Sequence, residues 1–277
     1  MTEPRLAALV VHPVKAFAGV GTARAVVEPW GLSGDRRWMV VGPDGAQLTQ
    51  RGHPRMAQAA AGQLPGGGLR LSAPGMRPLT VGVPDPAAGL VPVEVWRTPV
   101  EAAPAAAEAA AWLTEYLGTD ARLVHLDAPD RRRPIAPGHG LPGETVSFAD
   151  AFPVLLTAVS SLEALNRLVA QGDHPDEGPL PMNRFRPNVV VEGTAPWAED
   201  GWRRIRIGEV RFRVAGPCGR CVVTTTDQAT GERGKEPLRT LARHRRSGGL
   251  LIFGQNLVPE CTGTLRTGDA LEVLEVL

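Results

Sequence analysis

The sequence predicts a mostly β protein with some α (α+β), built as two β-rich, barrel-like units with a few helices packed on them. Three observations carry this. The 32 glycines and 26 prolines among 277 residues are too many for a helical bundle and suit a loop-rich β fold. The apolar runs are short, and turn residues bound them. At roughly 150 residues per domain the length is close to two domains, and a hydrophobic fraction of 43% is enough for a sizeable core.

In chain order, residues 6–11, 23–28, 38–41, 69–71, 79–83 and 91–96 read as strands. Pro43-Asp44-Gly45 between Val41 and Gln47 is a hairpin signal. An alanine-rich stretch, 102–117, is the first helix candidate, with Gly118 placed to end it. Residues 127–147 carry charges and then Pro134, Pro137, Gly138, Gly140, Pro142 and Gly143, so they are expected to be a loop between a domain at 1–126 and another at 148–277. The Arg131-Arg132-Arg133 run reads as a solvated loop face. A strand at 152–157 precedes a helix with Ser160 as N-cap and Glu163 completing a capping box; Leu162, Leu165 and Val169 share its inner face. Further strands are expected at 188–192, in a hairpin around Gly208-Glu209, at 221–226 because of its β-branched residues, and at 270–276. Pro237 should start a short helix reaching about residue 245.

Composition removes several function classes. The formal charge of +1 excludes a globally basic nucleic-acid binder while allowing a local basic pocket. Three cysteines do not make a disulfide framework. The apolar run after Met1-Thr2-Glu3-Pro4-Arg5 is too short for a signal-peptide core, and no uncharged apolar stretch approaches membrane-spanning length. A cytoplasmic protein without a membrane partner is expected. Only Lys15 and Lys235 are lysines among 30 basic residues, so wherever a lysine stands it has escaped a strong arginine bias.

Pro217-Cys218-Gly219-Arg220-Cys221 is the strongest local signal. A structural zinc site needs more paired ligands than Cys261 and six scattered histidines supply. A thioredoxin-type dithiol needs a helix after its first cysteine, and Val222–Thr226 is a poor helix sequence. A single thiolate binding a soft metal, and two cysteines that merely pack, remain open on spacing alone.

Other motifs narrow this. His12-Pro13-Val14-Lys15, Gly34-Asp35-Arg36-Arg37-Trp38 and Asn183-Arg184-Phe185-Arg186-Pro187-Asn188 precede the cysteines. Thr224-Thr225-Thr226-Asp227, Gly234-Lys235-Glu236-Pro237-Leu238 and Phe253-Gly254-Gln255-Asn256 follow them. In order and spacing these resemble the molybdenum cofactor sulfurase C-terminal (MOSC) superfamily, in the branch with an N-terminal MOSC-type β-barrel, over about residues 6–275.

The resemblance implies a molybdenum cofactor, with or without a nucleotide, in which Cys221 is the protein ligand to the metal. It implies Lys15, Arg36, Thr157, Arg186, Asn188 and Arg220 as cofactor-binding residues, and Asp227 as an acid or pterin contact. Ala16 stands where family members often carry serine, so one hydroxyl contact is missing. The implied activity is reduction of small N-hydroxylated compounds (amidoximes, hydroxylamines, N-oxides); the alternative is a cofactor carrier or a persulfide-handling protein. Three cysteines cannot make a plant-type [2Fe–2S] site, and the chain stops where some relatives append such a domain. Electrons are therefore expected from a separate ferredoxin- or cytochrome-like partner and its reductase. Lys235 gains no mechanism; an ion pair with a neighbouring acid is expected there.

Overall fold

The computed structural model describes residues 3–136 and 138–277; Met1 and Thr2, and Pro137 of the anticipated linker, lie outside the described residues. The first half contributes strands β1 (Arg5–Val11), β2 (Val20–Thr22), β3 (Arg24–Glu28), β4 (Gly31–Leu32), β5 (Trp38–Val41), β6 (Ala60–Gln63), β7 (Leu69–Ser72), β8 (Leu79–Val81), β9 (Val91–Val95), β10 (Thr98–Pro104) and β11 (Arg122–His125), with helix α1 (Ala107–Leu117) between the last two. A single turn, α2 (Pro129–Arg132), follows. The second half holds β12 (Val154–Ala158), α3 (Val159–Ala170), β13 (Val189–Glu192), β14 (Trp202–Ile207), β15 (Val210–Gly219), α4 (Leu238–His244), β16 (Arg246–Ser247), β17 (Leu250–Pro259), β18 (Gly263–Arg266) and β19 (Leu271–Val276). The α+β expectation holds.

The largest sheet runs β19-β14-β15-β17-β12-β13-β1-β2, with β16 paired to β17. All its neighbours are antiparallel except β12 and β13, which α3 connects as a crossover. Backbone bonds from Leu6 to Asp269 and from Leu271 to Pro4 bring β1 against the start of β19, so the path closes on itself as a barrel. Leu6, Leu9, Leu156, Val189, Ile205, Phe212 and Leu257 fill its interior at 1% exposure or less. The pleat explains the pattern: Ile205 and Ile207 point inward while Arg204 and Arg206 alternate outward.

The sheets do not follow the division expected at 127–147. β1 and β2 belong to the second-half barrel, and β3 pairs with β18 and β4. The remaining first-half strands form a β5-β11-β10-β9 sheet and a β6-β7-β8 sheet. α1 lays Ala109, Trp112, Leu113 and Tyr116 onto a core with Trp38, Val40, Met56 and Leu71. Among the described residues no helix is long and apolar enough to cross a membrane.

Four local expectations are corrected. The helix expected from residue 102 starts at Ala107, because 98–102 pairs with β9 and 103–104 with β11, and cross-strand packing overrides alanine's helix preference. Ser160 does not cap α3: Ala158 is the N-cap, and the Ser160 hydroxyl contacts Thr194 Oγ1 instead. The segment 221–226 is not a strand but a 3-10 turn (Val222–Thr225), drawn in by the Thr224 and Thr225 hydroxyls, which donate to the carbonyls of Cys221 and Val222 at 2.8 and 2.9 Å. Finally, the arginine run is not uniformly solvated. Arg131 is exposed and Arg132 pairs with Asp127, but Arg133 is buried and donates to the carbonyls of Ser147, Ala149 and Asp150.

Candidate functional site

Loops from both halves meet in a cleft of about 270 Å³. Six of the expected site residues line it: Lys15, Arg36, Arg186, Asn188, Arg220 and Cys221. Each comes from a connection rather than an element interior. Lys15 follows β1, Arg36 precedes β5, Arg186 and Asn188 lead into β13, and Arg220 and Cys221 follow β15.

The cleft floor is a closed polar network. Asp35 is 1% exposed and sits where the chain leaves β4. Its Oδ1 accepts from the His12 backbone N–H at 2.8 Å and the Asn188 amide at 3.0 Å, and its Oδ2 accepts from Arg36 at 2.6 Å. Asn188 also accepts from Arg36 at 2.9 Å and from the Leu155 N–H at 3.2 Å, and donates to the Val10 carbonyl at 3.1 Å. The Asn188 amide therefore braces β1, β12 and the Asp35–Arg36 turn. Arg36 itself adopts a left-handed backbone, φ 46°, held by its N–H on the His12 carbonyl and its carbonyl on the Phe148 N–H.

Arg220 is also a brace. Nε and Nη2 donate to the Phe253 carbonyl at 2.8 and 2.6 Å, and Nη1 to the Phe185 carbonyl at 3.1 Å. The adjacent Gly254 explains the glycine of its motif. At φ 78° a Cβ there would lie 2.4 Å from the Leu156 carbonyl oxygen.

Other cations keep donor capacity. Arg186 has one weak contact, 3.5 Å to Gln228 Oε1, and burial together with the neighbouring Arg36 pulls its pKa down to about 9. Arg184 is 8% exposed; its Nη atoms donate to the Thr225 carbonyl and Asp227, while Nε has no partner. Lys15 Nζ donates to the Phe148 carbonyl at 2.7 Å and to Asp150 at 2.5 Å. Burial pulls its pKa down to about 8, despite the opposing pull of Asp150. Asp150 is 70% exposed at its side chain, so this ion pair adds little to stability. Crowding in the cleft opposes Asp150's ionisation, but Lys15 and the Trp96 indole N–H outweigh it, and the carboxyl titrates below the usual range.

Cys221 sits on the cleft wall, partly exposed, immediately before the 3-10 turn. Cys218 also lines the cleft, and burial pushes its thiol pKa up, the opposite of an activated thiolate. All three cysteines are free thiols, and the third, Cys261, packs against the barrel core. Among the described residues no group of three or more His, Cys, Asp or Glu side chains is arranged to hold a metal.

Two expected site residues do not line the cleft. Thr157 is fully buried on β12 behind the wall, its hydroxyl 3.2 Å from Met182 Sδ. Asp227 caps a turn: its Oδ1 accepts from the N–H groups of Ala229 and Thr230, and its Oδ2 from Arg184. Those bonds, the Thr230 N–H first, hold its carboxyl below the usual range, so near neutral pH it has no proton to give. His12 is buried, and desolvation with Arg36 and Arg186 drives its pKa well below 6.5; it is a packed neutral imidazole. Lys235 makes no ion pair among the described residues. Its side chain is exposed, and only its backbone N–H meets Glu177.

Sequence reading also missed residues. Arg184 and Asp35 lie inside motifs that were recognised for their neighbours. Asp150, Trp96 and Gln50 line the cleft from segments with no motif, and nothing in the sequence singles them out.

Comparisons with known proteins agree with these motifs. A family model described as the MOSC N-terminal beta barrel domain matches residues 3–120, and one for the MOSC domain matches residues 143–272. The chain is 32% identical to mitochondrial amidoxime-reducing component 1 of Xenopus laevis, over 94% of this chain and 79% of that protein. It is 32% identical to the Homo sapiens protein of the same name, over 97% and 82%. To the molybdenum cofactor sulfurase of Anopheles gambiae it is 34% identical, over 91% of this chain but 34% of that longer protein.

Proposed function

The chain belongs to the family that joins a MOSC N-terminal β-barrel domain to a MOSC domain, and on that footing we propose that it is a molybdenum-cofactor-dependent oxidoreductase acting on small N-hydroxylated compounds. The observation that carries the reading is the meeting of two partly exposed thiols, Cys218 and Cys221, with incompletely bonded cations in one cleft. The donor chemistry fits such a group. A thiolate is a soft ligand for molybdenum beside cofactor sulfurs. Arg186 and Lys15, which line the cleft, offer charge-assisted bonds to a cofactor phosphate. When bound, the cofactor supplies the two-electron chemistry that removes the N-hydroxyl oxygen, which leaves as water after two protons are added.

The chain's own residues do the positioning. Cys221 is held by the turn that its carbonyl anchors through Thr224. Arg220 and Asn188 fix the loops that carry Cys221 and Arg186. Lys15, paired with Asp150 at the wall, is the cation that a phosphate would take over. In this reading electrons come from a separate ferredoxin- or cytochrome-like protein with its own reductase. Three free thiols suit a reducing compartment such as the cytoplasm.

The test is molybdenum content and benzamidoxime reduction, with a chemical surrogate reductant, for protein made in a cofactor-competent host. Wild type should carry near-stoichiometric molybdenum and reduce benzamidoxime, and Cys221→Ala should lose the reduction entirely. Molybdenum without reduction of any N-hydroxylated compound would turn the reading into a cofactor carrier. Protein with far less than stoichiometric metal would refute both.

A further inference from the structure

The hairpin between β9 and β10 is closed by two residues, Trp96 and Arg97, with Val95 paired to Thr98. Both have positive φ, 50° and 67°. A two-residue turn with both φ values positive is the type I′ turn, which favours Asn-Gly because those residues tolerate the left-handed region. A bulky aromatic there is disfavoured by about 1–2 kcal/mol. Core packing does not explain the tryptophan. Its side chain lies outside the cluster formed by the hairpin's inward residues, and it stays 41% exposed.

The ring is instead held at the cleft lip. Its indole N–H donates to Asp150 Oδ1 at 2.9 Å. The Arg51 guanidinium lies 4.5 Å from the ring centroid. Arg51 is steadied in turn, because Arg233 donates to the carbonyls of Gln50 and Arg51 at 2.5 and 2.6 Å. Trp96, Arg51 and Asp150 all line the cleft that holds Cys221. A strained, exposed, orientation-locked aromatic at a cleft mouth is placed to meet a ligand, and its π-face accepts any planar conjugated group.

We infer that Trp96 is the specificity-determining platform of this cleft, stacking the flat part of the substrate and favouring planar, conjugated N-hydroxylated compounds over small aliphatic ones. This rests on the reductase reading. Trp96 touches no reacting atom; it positions the substrate's ring, and its effect belongs in KM.

The experiment compares Trp96→Asn, Trp96→Phe and Arg97→Asn in the molybdenum-loaded protein. Asparagine tolerates the left-handed turn, so neither asparagine variant should unfold the hairpin. The KM for benzamidoxime relative to that for hydroxylamine should rise about tenfold in Trp96→Asn, the equivalent of about 1.4 kcal/mol of lost stacking. Trp96→Phe should recover most of the ratio, and Arg97→Asn should leave it at the wild-type value. An unchanged ratio in Trp96→Asn, or an equal shift in Arg97→Asn, overturns the inference. Calorimetric binding of benzamidoxime is the second readout. If wild type reduces neither compound, the reductase reading fails, and the platform is judged on binding alone. A roughly tenfold weaker affinity in Trp96→Asn upholds it; equal affinity, or no binding by wild type, overturns it.

Discussion

Two clusters of charge lie a few residues apart in this cleft and are built on opposite principles. Under the floor, Asp35, Arg36 and Asn188 bond to one another and to the backbone of β1 and of β12, and both Asp35 oxygens have partners. At the wall, Arg186 has one 3.5 Å contact, Arg184 Nε has none, and Lys15 is tied to a largely exposed carboxylate. The floor is complete without a ligand and the wall is not. Completeness marks the scaffold; missing partners mark where an anion belongs. The Arg186–Asn188 stretch contains both kinds of residue two positions apart, so the distinction is one of environment and not of residue class.

Breaking the floor should have the largest effect. Asn188→Leu keeps the volume but strands the Leu155 N–H and the Val10 carbonyl and removes a partner from Asp35 and Arg36. A loss of about 3 kcal/mol in urea unfolding is expected, since each buried polar group left unpaired costs about 1–3 kcal/mol. At the wall, Arg186→Gln should behave in the opposite way. Unfolding stability should be unchanged or slightly higher, because the partly buried guanidinium is poorly compensated. Sulfate affinity of the cofactor-free protein, measured by calorimetry, should fall roughly tenfold, in line with about 1.5 kcal/mol for a hydrogen bond to a charged group. If Arg186→Gln destabilised the fold as much as Asn188→Leu, the division into scaffold and ligand site would collapse.

The sequence made much of this legible for a definite reason. Alternating runs mark strands with one buried face, as in β14, and the continuous apolar run 38–41 marks β5, which is buried at every position. Motif order brought six cleft residues together, since loops that gather at one site keep their spacing to the strands that carry them. What was lost depends on tertiary contact. The start of α1 is masked because residues 98–104 find partners in β9 and β11 that local propensity does not encode. The turn after Cys221 was hidden because threonine hydroxyls outcompeted β-branched preference. The roles of Asn188 and Arg220 as braces, and of Asp150 and Trp96 at the wall, are set by partners more than thirty residues away.

The smallest expected effect is a pH dependence that separates the wall from the floor by sign. Lys15 is held to about pKa 8 by burial, whereas an unfolded chain would have it near 10.5. As pH rises from 7 to 9 its charge is largely lost in the folded protein, so an anion that needs that charge binds several-fold more weakly. Sulfate is the right probe because its own charge is constant over this range. Stability should move the other way. Between about pH 8 and 10.5 the unfolded chain binds a proton at Lys15 that the folded chain does not, so this residue's contribution to unfolding free energy rises with pH in that window. A neutral Lys15→Met should flatten both trends while leaving the floor's hydrogen bonds intact. Sulfate affinity that is independent of pH from 7 to 9 in wild type, or equally pH-dependent in Lys15→Met, would show that Lys15 is only a partner for Asp150 and not part of the open anion site.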